Sequence, residues 1–238
     1  MKVDIFIPCF IDQLRPETAL NMIKVLEKAG CQVNYNAEQT CCGQAAFNAG
    51  FWDDAREVGE KLLREVSNNN MVCPGASCVG MIRNSYDLLF QNSSYHNKYR
   101  QLQKRTFELS EFLVDVLKVT QLGSMLFGKA TYHDSCSALN ECKIKSQPRE
   151  LLKNVQGLEL IEMKDCETCC GFGGTFTVKY ENISVAMAEQ KVENALATGA
   201  EYLISTDYAC LMHIDAYIKN KNIPIKALHL ADVLAQGL

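Results

Sequence analysis

Two pairs of adjacent cysteines, each followed by glycine, are the residues of this chain best suited to chemistry: Cys41-Cys42-Gly43 and Cys169-Cys170-Gly171, set 128 positions apart. Each pair is flanked by further cysteines at matched distances. Cys9 lies 32 residues before Cys41, and Cys136 lies 33 before Cys169. Cys78 lies 36 after Cys42, and Cys210 lies 40 after Cys170. The chain therefore carries a duplicated four-thiol set. Residues matched between the halves are expected to share a role, which makes Cys9, Cys41, Cys42, Cys78, Cys136, Cys169, Cys170 and Cys210 the candidate metal ligands. Four of the twelve cysteines have no match: Cys73 falls opposite Ser205, Cys166 opposite Glu38, Cys31 opposite Leu158, and Cys142 opposite nothing. These are expected to be small buried hydrophobes or inert thiols. Cys73 and Cys166 are the candidates for exceptions, being close in sequence to proposed ligands.

Four thiolates admit three chemistries. Structural zinc takes four cysteines, usually as two Cys-x2–4-Cys knuckles. Consecutive side chains diverge, so an adjacent pair suits a single tetrahedral ion poorly. In a [4Fe–4S] cluster, neighbouring thiolates attach to different irons. A dithiol redox site needs one low-pKa thiol beside a resolving one. The residue types favour iron–sulfur over zinc, and zinc over thiol redox. Gly43, Gly171, Gly173 and Gly174 would let the backbone approach a cluster and turn amides towards its sulfurs. His133 and Asp134, just before Cys136, are candidates to support the ligands from behind, although a lone histidine is more often structural. His213 and His229 have weaker claims.

The elements that must position these thiols alternate in type. Lys2 to Pro8 reads as a buried strand delivering Cys9. A helix from Pro16 follows, with Ala19, Leu20, Ile23 and Leu26 inward. Strands at 31–36 and 71–73 and a helix from Asp53 complete the first half. The second half replays it: strands at 129–133, 158–162 and 202–205, a helix near 149–154, and one over 184–197 with Val185, Ala188, Val192 and Leu196 inward. A last strand at 224–227 and a short helix from Ala231 end the chain. This order predicts an α/β protein of two similar lobes, with mostly parallel sheets flanked by helices. The expected lobes are residues 1–90 and 129–238. Residues 91–128 read as a linker with a docking helix on Leu109, Phe112, Leu113, Val116 and Leu117. Ligands of such sheets bind beyond the carboxyl ends of the strands, so each lobe is expected to gather its four thiols in one crevice.

Composition narrows the setting. With 238 residues and 47% hydrophobic content, the chain can build its own core without disulfide staples. A net charge of −4, with scattered lysines and arginines, argues against nucleic acid or an anionic membrane as partner. The N-terminal apolar run is too short for a signal peptide, and no stretch approaches the ~20 residues of a membrane span. A cytoplasmic protein is expected, in which twelve cysteines point to metal or redox chemistry. No Gly-x-Gly-x-x-Gly follows a strand, and there is no P-loop or Gly-x-Ser-x-Gly. An electron-carrying subunit fits better than a self-sufficient enzyme.

The duplicated pattern resembles the CCG domain found in heterodisulfide reductase and in the iron–sulfur subunit of glycolate oxidase. Over its whole length the chain is similar to the lactate-utilisation protein A (LutA/YkgE) family. The stretches that carry this are Phe6-Ile7-Pro8-Cys9, Cys41-Cys42-Gly43-Gln44, Cys73-Pro74-Gly75-Ala76-Ser77-Cys78, Tyr132-His133-Asp134-Ser135-Cys136, Cys170-Gly171-Phe172-Gly173-Gly174-Thr175-Phe176, and Ser205 to His213. The resemblance implies a cytosolic iron–sulfur subunit of a three-component complex oxidising L-lactate to pyruvate. It also implies partners, a ferredoxin-type iron–sulfur protein B and a protein C. The CCG-bearing subunit of heterodisulfide reductase ends its motif in Cys-x2-Cys, whereas Met81 and His213 stand three residues after Cys78 and Cys210 here. Four thiolates per half, holding a [4Fe–4S] cluster in each lobe, is the form that carries over. Close relatives read His-Asp-x-Cys-His, and Ser137 takes the last place in this chain. A zinc-bearing assembly subunit and a thiol redox protein remain the alternatives.

Overall fold

The computed structural model describes residues 1–238. Two four-stranded sheets, parallel throughout, form the frame. The first contains β1 (Lys2–Ile5), β2 (Gln32–Tyr35), β3 (Asn70–Cys73) and β4 (Thr106–Glu108), in the order β2-β1-β3-β4. The second contains β5 (Met125–Tyr132), β6 (Gln156–Leu160), β7 (Tyr202–Ser205) and β8 (Lys226–His229), in the order β6-β5-β7-β8. The two orders are the same once the halves are matched. Strand order reverses between the first and third strand of each sheet, which opens a crevice beyond their carboxyl ends. Cys9 follows β1 and Cys78 follows β3; Cys136 follows β5 and Cys210 follows β7. The topology thus places two ligand candidates per lobe at the crevice.

Central strands of a parallel sheet are covered on both faces, and the sequence of β1, β3 and β7 supplies the apolar side chains this needs. Val3, Val72, Leu203 and Ile204 are wholly buried. The helices obey their periodicity with a rotated face. In Pro16–Lys28 the buried residues are Thr18, Met22, Val25 and Leu26, while Leu20, expected inward, is 59% exposed. In Glu181–Leu196, Ala188 and Val192 are buried as expected, but Val185 and Leu196 face solvent and Lys191 is buried in their stead.

Part of the stretch read as a linker builds the first sheet. Residues 91–128 contain the helix His96–Gln103 and then β4, which pairs with β3 in register Val72↔Phe107. A short helical segment, 109–116, follows. It matches the helix Leu230–Leu234 after β8. The repeat therefore extends through β4, and its polar run is the surface of a helix rather than a tether.

The lobes share one core. A continuous cluster joins Val3, Ile5, Met22 and Val72 to Ala130, Tyr132, Leu230 and Leu234. The helix Pro16–Lys28 lies against Leu230–Leu234, with Thr18 Oγ1 and Asn21 Nδ2 donating to Asp232 at 3.0 and 2.9 Å. No helix is long and apolar enough to cross a membrane.

Candidate metal centre

In the first lobe, Cys9 opens the helix Cys9–Leu14, Cys41 and Cys42 sit in the loop after β2, and Cys78 lies in the helix Ala76–Gly80. Cys9 Sγ is 3.8 Å from Cys41 Sγ, and Cys42 Sγ is 3.4 Å from Cys78 Sγ. The second lobe repeats the row. The Cys170 and Cys210 sulfurs lie within 4.8 Å of each other, and Cys136 and Cys169 line the cavity beside them. Cys42, Cys78, Cys170 and Cys210 are buried, Cys41 and Cys169 are half-buried, and Cys9 and Cys136 are exposed. Each row runs from the protein interior to its surface.

The sequence led us to expect one crevice per lobe. Instead, all eight thiols line a single cavity of about 280 Å³ between the lobes. Gly173 and Gly174 also line it, and Phe10 of one lobe meets Phe172 of the other edge to face, centroids 5.9 Å apart.

Gly43 and Gly171 do the same work in their two loops. Each amide donates to the sulfur two residues earlier, Gly43 to Cys41 and Gly171 to Cys169, both at 3.4 Å. Their φ angles are +83° and +93°. A Cβ would sit 3.1 Å from Ala55 O at Gly43 and 2.6 Å from Ser184 O at Gly171. The left-handed backbone and the close helix together require glycine at both places.

The electrostatics of the two rows are parallel. S–H donors from Cys42 and Cys9 hold the Cys41 thiol well below its ordinary value, and donors from Cys136 and Cys170 do the same for Cys169. The same contacts, reinforced by burial, push Cys9 and Cys136 up. The middle thiol of each row is thus the one whose proton is held least tightly. Such a donor set suits metal binding, which draws the remaining protons off.

The unmatched cysteines lie apart from the cavity wall. Cys31 is packed in the core, and Cys142 is buried with its thiol donating to Ala76 O at 3.5 Å. Cys73 is fully buried behind Cys78, its thiol donating to Gly75 O at 3.3 Å. Cys166 Sγ lies 3.9 Å from Arg149 Nη2. Asp134 is held from behind by Arg149 in a two-point pair at 2.8 and 2.7 Å, and Arg149 also clasps Glu162. His213 Nε2 faces Ser184, at 3.1 Å from both its Oγ and its O. His229 Nε2 donates to Pro74 O at 2.9 Å, across the lobe boundary. His133 is fully buried, and one of its ring nitrogens lies within 4.8 Å of both Cys170 and Cys210 sulfurs, themselves equally close. No three of the eight sulfurs are packed so tightly.

Two parallel-sheet lobes, each presenting a Cys, Cys-Cys-Gly, Cys row to a shared cleft, define a duplicated cysteine-rich domain protein. Residues 3–83 and 130–215 each match the family model of the cysteine-rich domain, CCG. Lactate utilization protein A of Halalkalibacterium halodurans is 42% identical over 235 residues, covering 98% of this chain and 96% of that protein. Lactate utilization protein A of Geobacillus sp. is 40% identical, covering 98% and 99%. The crystal structure of a hypothetical protein from Helicobacter pylori superposes with a TM-score of 0.60 at 11% identity, and shares the fold. It covers all of this chain and 49% of that one. The chain belongs to the cysteine-rich CCG-domain family and, within it, to the lactate utilization protein A family.

Proposed function

We propose that this chain is the iron–sulfur electron-transfer subunit of an L-lactate-oxidising complex, cytoplasmic, working with a ferredoxin-type iron–sulfur protein B and a protein C. The observation that carries the reading is the convergence of both thiol rows on one cleft. Cys9, Cys41, Cys42 and Cys78 hold one cluster of [4Fe–4S] type, and Cys136, Cys169, Cys170 and Cys210 hold a second. When bound, such clusters accept and pass on single electrons.

The geometry supports a cluster over a lone zinc ion. Four thiolates at ~2.3 Å from one tetrahedral ion would all lie about 3.8 Å apart. Here the sulfurs form open rows, touching only in sequence, with a cavity in front of them. An arrangement of that kind presents each thiolate to a different metal atom. The chain's own part is to desolvate the inner thiols, leave Cys9 and Cys136 near solvent, and aim the Gly43 and Gly171 amides at sulfur. Amide donors of this kind tune a cluster's potential.

The test is iron and acid-labile sulfide per chain in protein purified without air. About eight of each are expected for two cubane-type clusters. Stoichiometric zinc in colourless protein would overturn the reading. With proteins B and C present, lactate-dependent pyruvate formation is expected, and is expected to fail with the Cys42→Ser chain.

A further inference from the structure

The two thiol rows are matched, but their surroundings are not. At the end of β5 stands His133, and the matched position at the end of β1 is Phe6, which has no donor atom. We propose that His133 Nε2 is a fifth donor to the second centre, a nitrogen ligand beside Cys170 and Cys210. This rests on the metal-binding reading of the thiol rows given above.

Three observations carry it. First, a ring nitrogen of His133 and the two sulfurs lie within 4.8 Å of one another, in a buried group. Second, Nε2 has no hydrogen-bond partner. A buried polar atom left so costs about 1–3 kcal/mol, and native interiors pair such atoms almost without exception. Third, the ring is oriented from its other side. Nδ1 lies 3.3 Å from Cys166 O, an acceptor, so the proton sits on Nδ1 and Nε2 keeps a free lone pair. That carbonyl is itself pinned, by the Asp134 amide at 3.1 Å and by Lys191 Nζ at 3.3 Å. A backbone carbonyl behind the ring is the usual arrangement for a metal-bound imidazole, because it fixes tautomer and direction.

The thiols cannot satisfy this lone pair once they bind metal. Cys170 and Cys210 then have no S–H to give, and a deprotonated sulfur facing a lone pair is repulsive. A metal atom held by one of these sulfurs and within reach of Nε2 would remove both problems without moving a proton on the ring. The consequence is inequality: the first centre has sulfur ligands only, and the second has mixed sulfur and nitrogen ligation. Imidazole ligation raises iron–sulfur potentials, so the second centre is expected to be reduced first.

The experiment uses full-length Cys42→Ser chain labelled with 15N-histidine, so that only the second centre fills. It is loaded without air with ferrous iron and sulfide, reduced with dithionite, and read by pulsed EPR. A 15N coupling of a directly bound nitrogen is expected, lost in His133→Gln and kept in His213→Gln. Iron content and far-UV circular dichroism of His133→Gln show whether that variant folds, and the labelled chain with His133 intact needs no such control. Bound iron without the coupling, or a coupling indifferent to His133→Gln, overturns the proposal and leaves the metal reading standing. A second row that takes up no iron overturns both.

Discussion

Glu108 offers the sharpest test of how the lobes are joined. It ends β4, is fully buried, and lies at the boundary between the lobes. One carboxylate oxygen accepts from Thr206 Oγ1 of the other lobe; the second accepts from the Ser110 amide at 2.7 Å and the Ser110 hydroxyl. Burial outweighs these donors and raises its pKa from 4.5 to about 7. At about 1.4 kcal/mol for each factor of ten in proton affinity, the folded protein favours the protonated acid by about 3 kcal/mol relative to the unfolded chain. The folded state then binds the extra proton between pH 4.5 and 7, so this contribution is complete below 4.5 and lost as pH rises through 7. Glu108→Gln keeps the shape and one acceptor but cannot ionise. Urea unfolding of both proteins at about pH 4.5 and pH 8 cancels every other titrating group. The native chain is expected to lose about 3 kcal/mol relative to the variant between those limits, or about 6 °C in melting temperature at this chain length. A difference that is the same at both pH values would refute the burial argument and the interface drawn from it.

Cys42→Ser is expected to empty the first centre and leave the second, halving iron per chain. Cys73→Ser, behind the cavity wall, is expected to leave iron content unchanged; equal iron loss in both variants would contradict the sorting of the thiols. Gly171→Ala forces a side chain against Ser184 O at φ +93° and is expected to remove iron from the second centre, leaving none in a Cys42→Ser background. Arg149→Met strips Asp134, itself 1% exposed, of its only cation and is expected to cost about 3–5 kcal/mol in urea unfolding.

The thiols were legible because duplication marks them twice. Their grouping into two rows follows from strand order, since Cys9, Cys78, Cys136 and Cys210 each fall just past a strand that flanks a switch point. The single cleft was not legible. It depends on how the lobes face each other, and that is set by side chains 98 positions apart, such as Glu108 and Thr206. Helix faces were read correctly at their centres and wrongly at their edges. Val185 and Leu196 are exposed, while Lys191 goes inside because Asp165 O and Cys166 O accept from its ammonium. His133 shows the limit of arguing from matched residues. Its counterpart is Phe6, so duplication does not mark it, and the signal in the sequence was its place just before Cys136.

The lobe boundary explains one further departure from symmetry. Glu108 and His229 occupy matched positions, the last residues of β4 and β8, and each caps the helix that follows. Each reaches across to the turn after the other lobe's third strand, Glu108 to Thr206 and His229 to Pro74, which are matched in turn. A carboxylate in both lobes would leave the Pro74 contact without a donor. The Thr206 hydroxyl can give or take a hydrogen bond, but Pro74 offers only a carbonyl and needs a donor. His229 can give that N–H because its Nδ1 accepts from the Ala231 amide at 3.1 Å, which leaves the proton on Nε2. Asp207 adds a third tie, accepting from the Ser77 amide at 2.9 Å across the same boundary. Acid in one lobe and base in the other is therefore complementarity between two different turns. Those turns lead directly into the helices carrying Cys78 and Cys210. The bonds that break the symmetry of the lobes are the ones that fix the two thiol rows across a shared cleft.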